Sequence, residues 1–335
     1  MKRFRVRAAA AAVIASGAAA VCVSALPASA AAGQAGGPGP VVTDVRTVAS
    51  FNYAAGQQPE NVIISPDGSK IIAMLGVLTG QPPELVRLDP SGLATVFATG
   101  QPGDAFSGIA LGPDGTIYYA VVSADGSRSG VWDLPPGGSA QRIAAVPGGT
   151  LLNDMAIDPA GRTLYVADSL NSEIWAIPAS GGTATVWLVS PALAPTQPAP
   201  NRFGANGIAF HDGAVWVSNT NQATLLRVPV TATGAPGPIQ VVASNLVGID
   251  NFSFLPGSSD VVFAALLGAD EVAVVYPDGT SKVVLTASDG LNAPSATAVS
   301  GTRLYIADAG DFAPNDAKLQ SGHISLAALL AGAKP

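Results

Sequence analysis

The sequence is poor in cysteine, histidine and charge, and each shortage excludes a class of chemistry. Its 335 residues include one cysteine and two histidines. Cys22 lies in the apolar leader described below, so the rest of the chain has no disulfide, thiolate nucleophile or cysteine metal site. With only His211 and His323 available, zinc, iron and copper lack their usual ligands. Charged residues make up only 12% of the chain, too few for a protein of amphipathic surface helices.

Residues 1–30 are predicted to be a secretory signal peptide. "MKRFRVR" is a basic start, "AAAAAVIASGAAAVCVSAL" is an apolar run and "PASA" is a small-residue cleavage site. A single membrane anchor is the alternative, which the dominance of alanine and the cleavage site disfavour. Residues 31–40 are then a flexible lead and 41–333 the folded domain. We therefore expect a secreted, extracellular protein with no membrane attachment after cleavage.

Acidic residues outnumber basic ones once the leader is set aside. Without its four basic residues, the 16 Lys and Arg fall to 12 against 23 Asp and Glu, a formal charge of −11. Nucleic acid and anionic lipid are bound by clusters of Lys and Arg. The sequence therefore predicts neither as a partner.

What the sequence has in abundance is glycine and proline, 38 and 27 residues, arranged in a repeat. Units such as "ENVIISPDGSKIIAML", "NDMAIDPAGRTLYVAD" and "NGIAFHDGAVWVSN" each contain an apolar strand, a turn closed by glycine and a second apolar strand. Six turn glycines are separated by 47, 46, 52, 44 and 44 residues: Gly68, Gly115, Gly161, Gly213, Gly257 and Gly301. A period of this length is typical of a propeller or a solenoid.

A weaker strand pair follows each of these hairpins except the last, which predicts an all-β, six-bladed β-propeller with four-stranded antiparallel blades. The last unit lacks a clear outer strand, whereas "VVTDVRTVAS" precedes the first unit without a partner. We predict that this N-terminal strand completes the last blade and closes the ring, an exchange that the alternative, a linear solenoid, would not need. The longest loop, 190–204, is expected to lie over one face as a candidate lid.

Six polar residues stand where the first strand of each blade begins. Counting back eight, seven or six residues from the turn glycines reaches Glu60, Ser107, Asn153, Asn206, Asp250 and Ser295. Asp and Asn are depleted in strands, so the strands themselves do not require them. The first strands of a propeller line its central channel, and these side chains are therefore predicted to converge on one opening.

Four of these residues offer carboxylate or amide oxygens, which are the ligands of a hard cation. Ca²⁺ takes six to eight oxygens in irregular geometry, whereas Mg²⁺ keeps a mostly hydrated octahedral shell. The predicted Ca²⁺ ligands are Glu60, Asn153, Asn206 and Asp250. The alternative is that such residues only cap the turns before the strands in a wet polar channel.

The motifs around these positions resemble those of the senescence marker protein, gluconolactonase and luciferin-regenerating enzyme family of six-bladed propellers. They are Glu60 in "PENVIISPDG", "NDMAIDPAG", "ANGIAF" and Asp250. More distant resemblances are to diisopropyl fluorophosphatase and the strictosidine-synthase-like propellers. The resemblance implies a catalytic Ca²⁺ at the channel mouth, hydrolysis of lactones or related esters, and Asp250 as the acceptor of the proton of water.

The chain also departs from that family's pattern. "VGIDNFSF" replaces the usual fifth-blade motif, so Asn251 competes with Asp250 as a ligand. Ser295 and Thr297 stand where some relatives have a histidine. His211 lies in a turn at the far end of its strand, where we expect a surface residue. Streptogramin-lyase-like propellers use a histidine base, and this reading is therefore disfavoured.

The sequence-based hypothesis is a monomeric, Ca²⁺-dependent hydrolase whose partner is a small-molecule lactone or ester. Four further residues near the mouth are predicted to contact the substrate: Ser107, Asp154, Arg202 and Ser295. The chain has few arginines on that side, which disfavours a strongly anionic substrate. The alternative function is a non-enzymatic binding propeller that recognises a protein or glycan and uses the channel ion only to tie its blades together.

Overall fold

Six four-stranded antiparallel sheets are arranged as the blades of a β-propeller. The computed structural model describes residues 39–257 and 260–332. The predicted signal peptide and most of the flexible lead lie outside the described residues. Within the described ranges, no helix is long and apolar enough to cross a membrane.

The strands follow one another along the chain in the order of the blades. After β1 (Val42–Ser50), the first blade contains β2 (Pro59–Ile64), β3 (Lys70–Met74), β4 (Glu84–Leu88) and β5 (Ala94–Thr99), and the second contains β6 (Asp104–Leu111), β7 (Ile117–Ser123), β8 (Gly130–Leu134) and β9 (Gln141–Ala145). The third contains β10 (Leu152–Ile157), β11 (Thr163–Asp168), β12 (Glu173–Pro178) and β13 (Thr185–Val189), and the fourth contains β14 (Ala205–His211), β15 (Ala214–Asn219), β16 (Thr224–Pro229) and β17 (Gln240–Ala243). The fifth contains β18 (Ile249–Phe254), β19 (Val262–Leu266), β20 (Glu271–Val275) and β21 (Ser281–Leu285), and the sixth contains β22 (Pro294–Ser300), β23 (Arg303–Asp308) and β24 (Lys318–Ile324).

The N-terminal strand closes the ring as predicted. β1 is the outer strand of the sixth blade, in the order β1-β24-β23-β22. It runs antiparallel to β24, from the Val42 and Ile324 pair to the Ser50 and Lys318 pair. A short helix, α1 (Leu326–Gly332), follows β24, and its Ala328 and Leu329 pack into the cluster that joins the fifth and sixth blades.

Burial falls from the second strand of each blade outwards, which explains the sequence pattern. β3, β15 and β19 are buried at every residue, so they consist mostly of apolar or small residues. The outer strands, such as β5, are largely exposed. The hydrophobic core therefore lies between neighbouring blades, as where Trp216 of the fourth blade meets Phe254 of the fifth with ring centroids 5.1 Å apart.

The six turn glycines take left-handed backbone angles, as the repeat predicts. Their φ values lie between 58° and 100°. Residues with a Cβ rarely adopt this conformation, so glycine closes each inner hairpin. These turns lie at the opposite end of the inner strands from the six predicted polar positions.

Candidate functional site

The six predicted polar positions are β-bulges. In every blade the register between the first and second strands breaks at that position, between Pro59 and Asn61 in the first blade and at the matching places in the other five. A bulge leaves a residue out of the ladder and re-aims its side chain. The polar residues are therefore not ladder residues, which explains why the strands tolerate them.

A cavity of about 110 Å³ lies at this end of the channel. The predicted residues that line it come from five blades: Glu60, Ser107, Asn153, Asn206 and Asp250. A single buried water needs a cavity of roughly 10–15 Å³, so this cavity has room for an ion together with several waters or part of a small ligand. The structure thus brings together all four predicted metal ligands.

A second layer of polar residues, which we call the floor, lies beneath the residues that line the cavity. Asp154 accepts hydrogen bonds from the Asn61 side chain at 2.5 Å and from the Ile208 backbone N–H at 3.0 Å. Asn251 lies in this lower layer, and its Oδ1 accepts from the Phe252 backbone N–H at 2.5 Å. The fifth blade therefore presents Asp250, and not Asn251, to the cavity.

Two glycines let the inner strands converge at this floor. A Cβ on Gly108 would lie 2.3 Å from the Cα of Asp154, and one on Gly207 would lie 2.6 Å from the Cα of Asn251. Both distances are far below contact, so only glycine fits. These residues follow Ser107 and Asn206 directly, and their small size sets how closely neighbouring ligand-bearing strands approach.

Three of the four predicted substrate contacts lie elsewhere in the structure. Asp154 is held in the floor, with both oxygens engaged as described. Ser295 is fully buried and donates to the Pro59 carbonyl at 2.8 Å. Arg202 is exposed and donates to the Leu170 carbonyl at 3.1 Å. Only Ser107 lines the cavity, where its hydroxyl donates to the Leu152 carbonyl at 2.7 Å.

The 190–204 loop lies over this face, as expected, but it is anchored. The Asn221 side chain accepts hydrogen bonds from the backbone N–H groups of Gln197 and Phe203, and Asn219 donates to two loop carbonyls. Leu193, a residue of the loop itself, is fully buried. The anchored loop places Phe203 in the cavity wall.

The upper wall of the cavity is apolar, and one further acid reaches into it. The apolar lining residues include Leu75, Ala105, Val122, Leu151, Phe203 and Leu267. Asp311, from the loop between β23 and β24, was not predicted, yet it lines the same cavity. None of the described lining residues is Lys, Arg or His. The site is thus acidic at its base and apolar above.

Burial raises the pKa of every carboxyl group here, and repulsion from neighbouring acids adds to the rise for Glu60 and Asp250. Burial is the largest cause for Glu60, whose pKa rises to about 8 with contributions from Asp311 and Asp154. Burial and the neighbouring charge of Glu60 raise the pKa of Asp250 well above its usual range. Burial also raises the pKa of Asp311 to about 6 and that of Asp154 to about 7, against hydrogen bonds that lower them. The cluster therefore binds protons, or another cation, more readily than free carboxylates.

The donor set fits a hard cation. The carbonyl oxygen Oδ1 of Asn206 and one carboxylate oxygen of Asp311 are buried without a hydrogen-bond partner. Such orphaned oxygens need a donor or an ion. Among residues 39–257 and 260–332, no three His, Cys, Asp or Glu side chains are grouped closely enough to hold a metal. Any metal site here therefore depends on the asparagine amides as well as the acids.

The histidine of the fourth blade lies far from this site. His211 ends β14 at the opposite end from Asn206, as expected. It is not a simple surface turn residue, since its ring stacks on Phe254 with centroids 3.8 Å apart and its Nε2 lies 3.2 Å from Asp260. It belongs to the packing between two blades.

Several solved structures have a similar fold. A gluconolactonase from Xanthomonas campestris is 15% identical, with a TM-score of 0.63 over 90% of this chain and 99% of that protein. A calcium-binding protein, regucalcin, from Agrobacterium tumefaciens is 19% identical, with a TM-score of 0.60 over 84% and 93%. Virginiamycin B lyase from Staphylococcus aureus is 13% identical, with a TM-score of 0.56 over 84% and 99%, and a histidine-to-alanine variant of it is catalytically inactive.

At these identities the similarity shows the fold alone, and the structural neighbours include propellers of the gluconolactonase and regucalcin kind that the motifs resemble. No protein-family model and no curated protein sequence matches the chain.

Proposed function

We propose that this propeller is a secreted, Ca²⁺-dependent hydrolase of lactones or related esters, with its active site in the cavity at the channel mouth. The observation that carries the proposal is that four blades bring Glu60, Asn153, Asn206 and Asp250 to one cavity with acids at its base and an apolar wall. Among the residues that the structure describes, no basic side chain lines this cavity. The fold similarity to a gluconolactonase and to regucalcin supports it.

Glu60, Asn153, Asn206 and Asp250 would hold the ion. A bound Ca²⁺ would supply charge stabilisation at the carbonyl oxygen of the substrate and offset the repulsion among the carboxylates. Extracellular Ca²⁺ sites often have dissociation constants of about 10⁻⁴–10⁻³ M. A site with two carboxylates and two amides suits that range, which agrees with the proposed location outside the cell.

Asp250 is the group assigned to proton transfer. Its carboxylate accepts a proton from a water molecule as the oxygen of that water bonds to the carbonyl carbon. The ring C–O bond of the lactone then breaks, and the proton passes from Asp250 to the departing ring oxygen, which gives a hydroxy acid. The other acids raise the pKa of Asp250 and oppose the lowering that a bound cation causes, so the group keeps some basicity.

The lining favours a neutral substrate with an apolar substituent. Leu75, Val122 and Phe203 offer apolar surface above the acids. An anionic substrate would meet Asp311 and Glu60 with no basic side chain to offset them among the described lining residues. An alkyl-substituted lactone places its ester group at the acidic base and its chain against the apolar wall.

The two alternative functions have less support. A structural ion needs no cavity beside its ligands, whereas a hydrolase needs open positions for water and substrate. The cavity above the predicted ligands therefore favours hydrolysis over a purely binding propeller. A lyase of the virginiamycin type needs a histidine, and no histidine is among the described residues that line this cavity.

A panel of lactones with and without Ca²⁺ tests this proposal. We expect Ca²⁺-dependent hydrolysis that is faster for γ-lactones with an alkyl chain than for polyhydroxylated ones. Phe203→Ala should raise KM for the alkyl lactones by roughly 5- to 30-fold, since burying an aromatic side chain contributes about 1–2 kcal/mol in a partly open wall.

Phe97→Ala is the matched control, because it removes the same side chain from a partly buried position in the outer strand of the first blade. It should leave KM unchanged. Absence of hydrolysis for every lactone at millimolar Ca²⁺ would contradict the proposed function. Equal KM changes in the two variants would remove Phe203 from substrate binding.

A further inference from the structure

Hydroxyl side chains support the backbone directly before each of the four proposed ligands. In every case the carbonyl of the residue that precedes the ligand accepts a hydrogen bond from a Ser or Thr of the preceding blade. The four bonds are Ser295 to Pro59 at 2.8 Å, Ser107 to Leu152 at 2.7 Å, Ser169 to Ala205 at 2.6 Å and Thr220 to Ile249 at 2.7 Å. These carbonyls belong to the last paired residue before each bulge, and the hydroxyls bond to them across the blade boundary.

Two of the four hydroxyls also contact an asparagine ligand of their own blade. The Asn153 Nδ2 donates to the Ser169 Oγ at 3.1 Å, and the Asn206 Nδ2 donates to the Thr220 Oγ1 at 2.8 Å. Each hydroxyl therefore lies between an asparagine of one blade and the carbonyl of the next.

The chemistry of a hydroxyl fixes which end of the asparagine side chain it contacts. A hydroxyl has one proton, and a carbonyl oxygen accepts but never donates. The Thr220 proton is committed to the Ile249 carbonyl, so Thr220 has only lone pairs left for Asn206. Asn206 must then present its NH₂ group to Thr220 and its Oδ1 elsewhere, and this Oδ1 is the buried oxygen without a partner.

We propose that Thr220 and Ser169 are positioning residues that orient the amide oxygens of Asn206 and Asn153 toward the cation. This inference rests on the proposed function and adds to it two residues that the sequence motifs do not mark. The same bonds join Asn153, Asn206 and Asp250 through consecutive blades, so the ligands are held as one connected set. Partners of this kind typically change metal affinity by about 10- to 100-fold when removed.

The test replaces Thr220 with residues that keep its volume or its hydroxyl. Thr220→Val should raise the Ca²⁺ dissociation constant about 10-fold or more, because the Asn206 amide loses its acceptor and its fixed orientation. Thr220→Ser should restore affinity to within about twofold of wild type, since the hydroxyl returns. Titration calorimetry on the purified protein, without substrate, measures both.

Thr297→Val is the matched control. Thr297 donates to the Phe263 carbonyl at 2.8 Å and lies 2.8 Å from the Ser253 hydroxyl. Its variant therefore also loses two side-chain hydrogen bonds, and both of them join neighbouring blades, whereas only one of the two Thr220 bonds does. It is not adjacent to a proposed ligand in the chain. Its Ca²⁺ affinity should equal that of wild type, which separates orientation of a ligand from general loosening of the ring.

A second measurement does not depend on Ca²⁺. The side-chain amide resonances of Asn206 in metal-free, ¹⁵N-labelled protein, assigned by their loss in Asn206→Ala, should shift and exchange faster with water in Thr220→Val but not in Thr297→Val. If wild type binds no Ca²⁺ yet these resonances move, the proposed function fails and the orienting role of Thr220 stands. Unchanged resonances together with unchanged Ca²⁺ affinity in Thr220→Val would overturn the inference.

Discussion

Asp250→Asn should lower kcat for lactone hydrolysis by about 10²- to 10⁴-fold at saturating Ca²⁺ and substrate. An asparagine keeps an oxygen for the ion but cannot accept the proton of water. The same change removes one acid from a buried cluster whose carboxyl groups are costly to ionise together, so the metal-free variant should melt at a higher temperature than wild type at pH 8. Loss of activity with gain of stability distinguishes a missing base from a damaged fold.

Asp308→Asn is the control for this experiment. Asp308 is another fully buried acid with a pKa raised by burial to about 8, but it lies at the end of β23, where it accepts from the Asn292 backbone N–H. Its variant should retain turnover. Wild-type kcat in Asp250→Asn would remove Asp250 from the mechanism and leave the protein as a candidate binding propeller.

The stability of the metal-free protein should fall as pH rises from 5 to 9, and Ca²⁺ should reduce that fall. The folded-state pKa values of Asp311, Asp154 and Glu60 are raised to about 6, about 7 and about 8. A group with a raised pKa stabilises the fold below its unfolded pKa, and this contribution is lost as pH rises through the folded pKa. We expect the melting temperature in EDTA to drop by on the order of 5 °C across this window.

A cation in the cavity replaces the protons that the acids would otherwise hold. In saturating Ca²⁺ the melting temperature should therefore vary less with pH. Part of the decrease of melting temperature with pH should remain, because Asp308 lies outside the cavity and keeps its own raised pKa. Scanning calorimetry at several pH values measures both series. If the melting temperature changed equally with pH in EDTA and in Ca²⁺, the acid cluster would not bind the ion.

The sequence was sufficient for the fold and for the ring of polar residues. The turn glycines set the blade period, and counting back from them located all six bulged positions. That counting worked because each inner hairpin has nearly the same length, so equivalent residues reach the same height in the channel. The closing strand could be predicted because the sixth unit has no clear outer strand, whereas the strand that precedes the first unit has no partner in that unit.

Residues contributed by loops and by neighbouring blades could not be predicted in this way. Asp311 lies in a loop that has no repeat register, so nothing in the chain indicates that it reaches the cavity. Asp154 directly follows the proposed ligand Asn153 in the chain, yet its side chain lies in the floor, where it bonds to Asn61 and Ile208. Thr220 and Ser169 follow the second strands, and their role depends on a carbonyl of the next blade, which the local sequence does not indicate.

Titration of EDTA-treated protein with Ca²⁺, for wild type and Asn206→Ala, tests the central claim most directly. The account predicts one Ca²⁺ per molecule for wild type and at least about tenfold weaker binding in the variant, because Asn206 supplies one of few protein oxygens in the site. No binding to wild type at millimolar Ca²⁺, or equal binding to both proteins, would contradict a cation held by these four residues at the mouth of the channel.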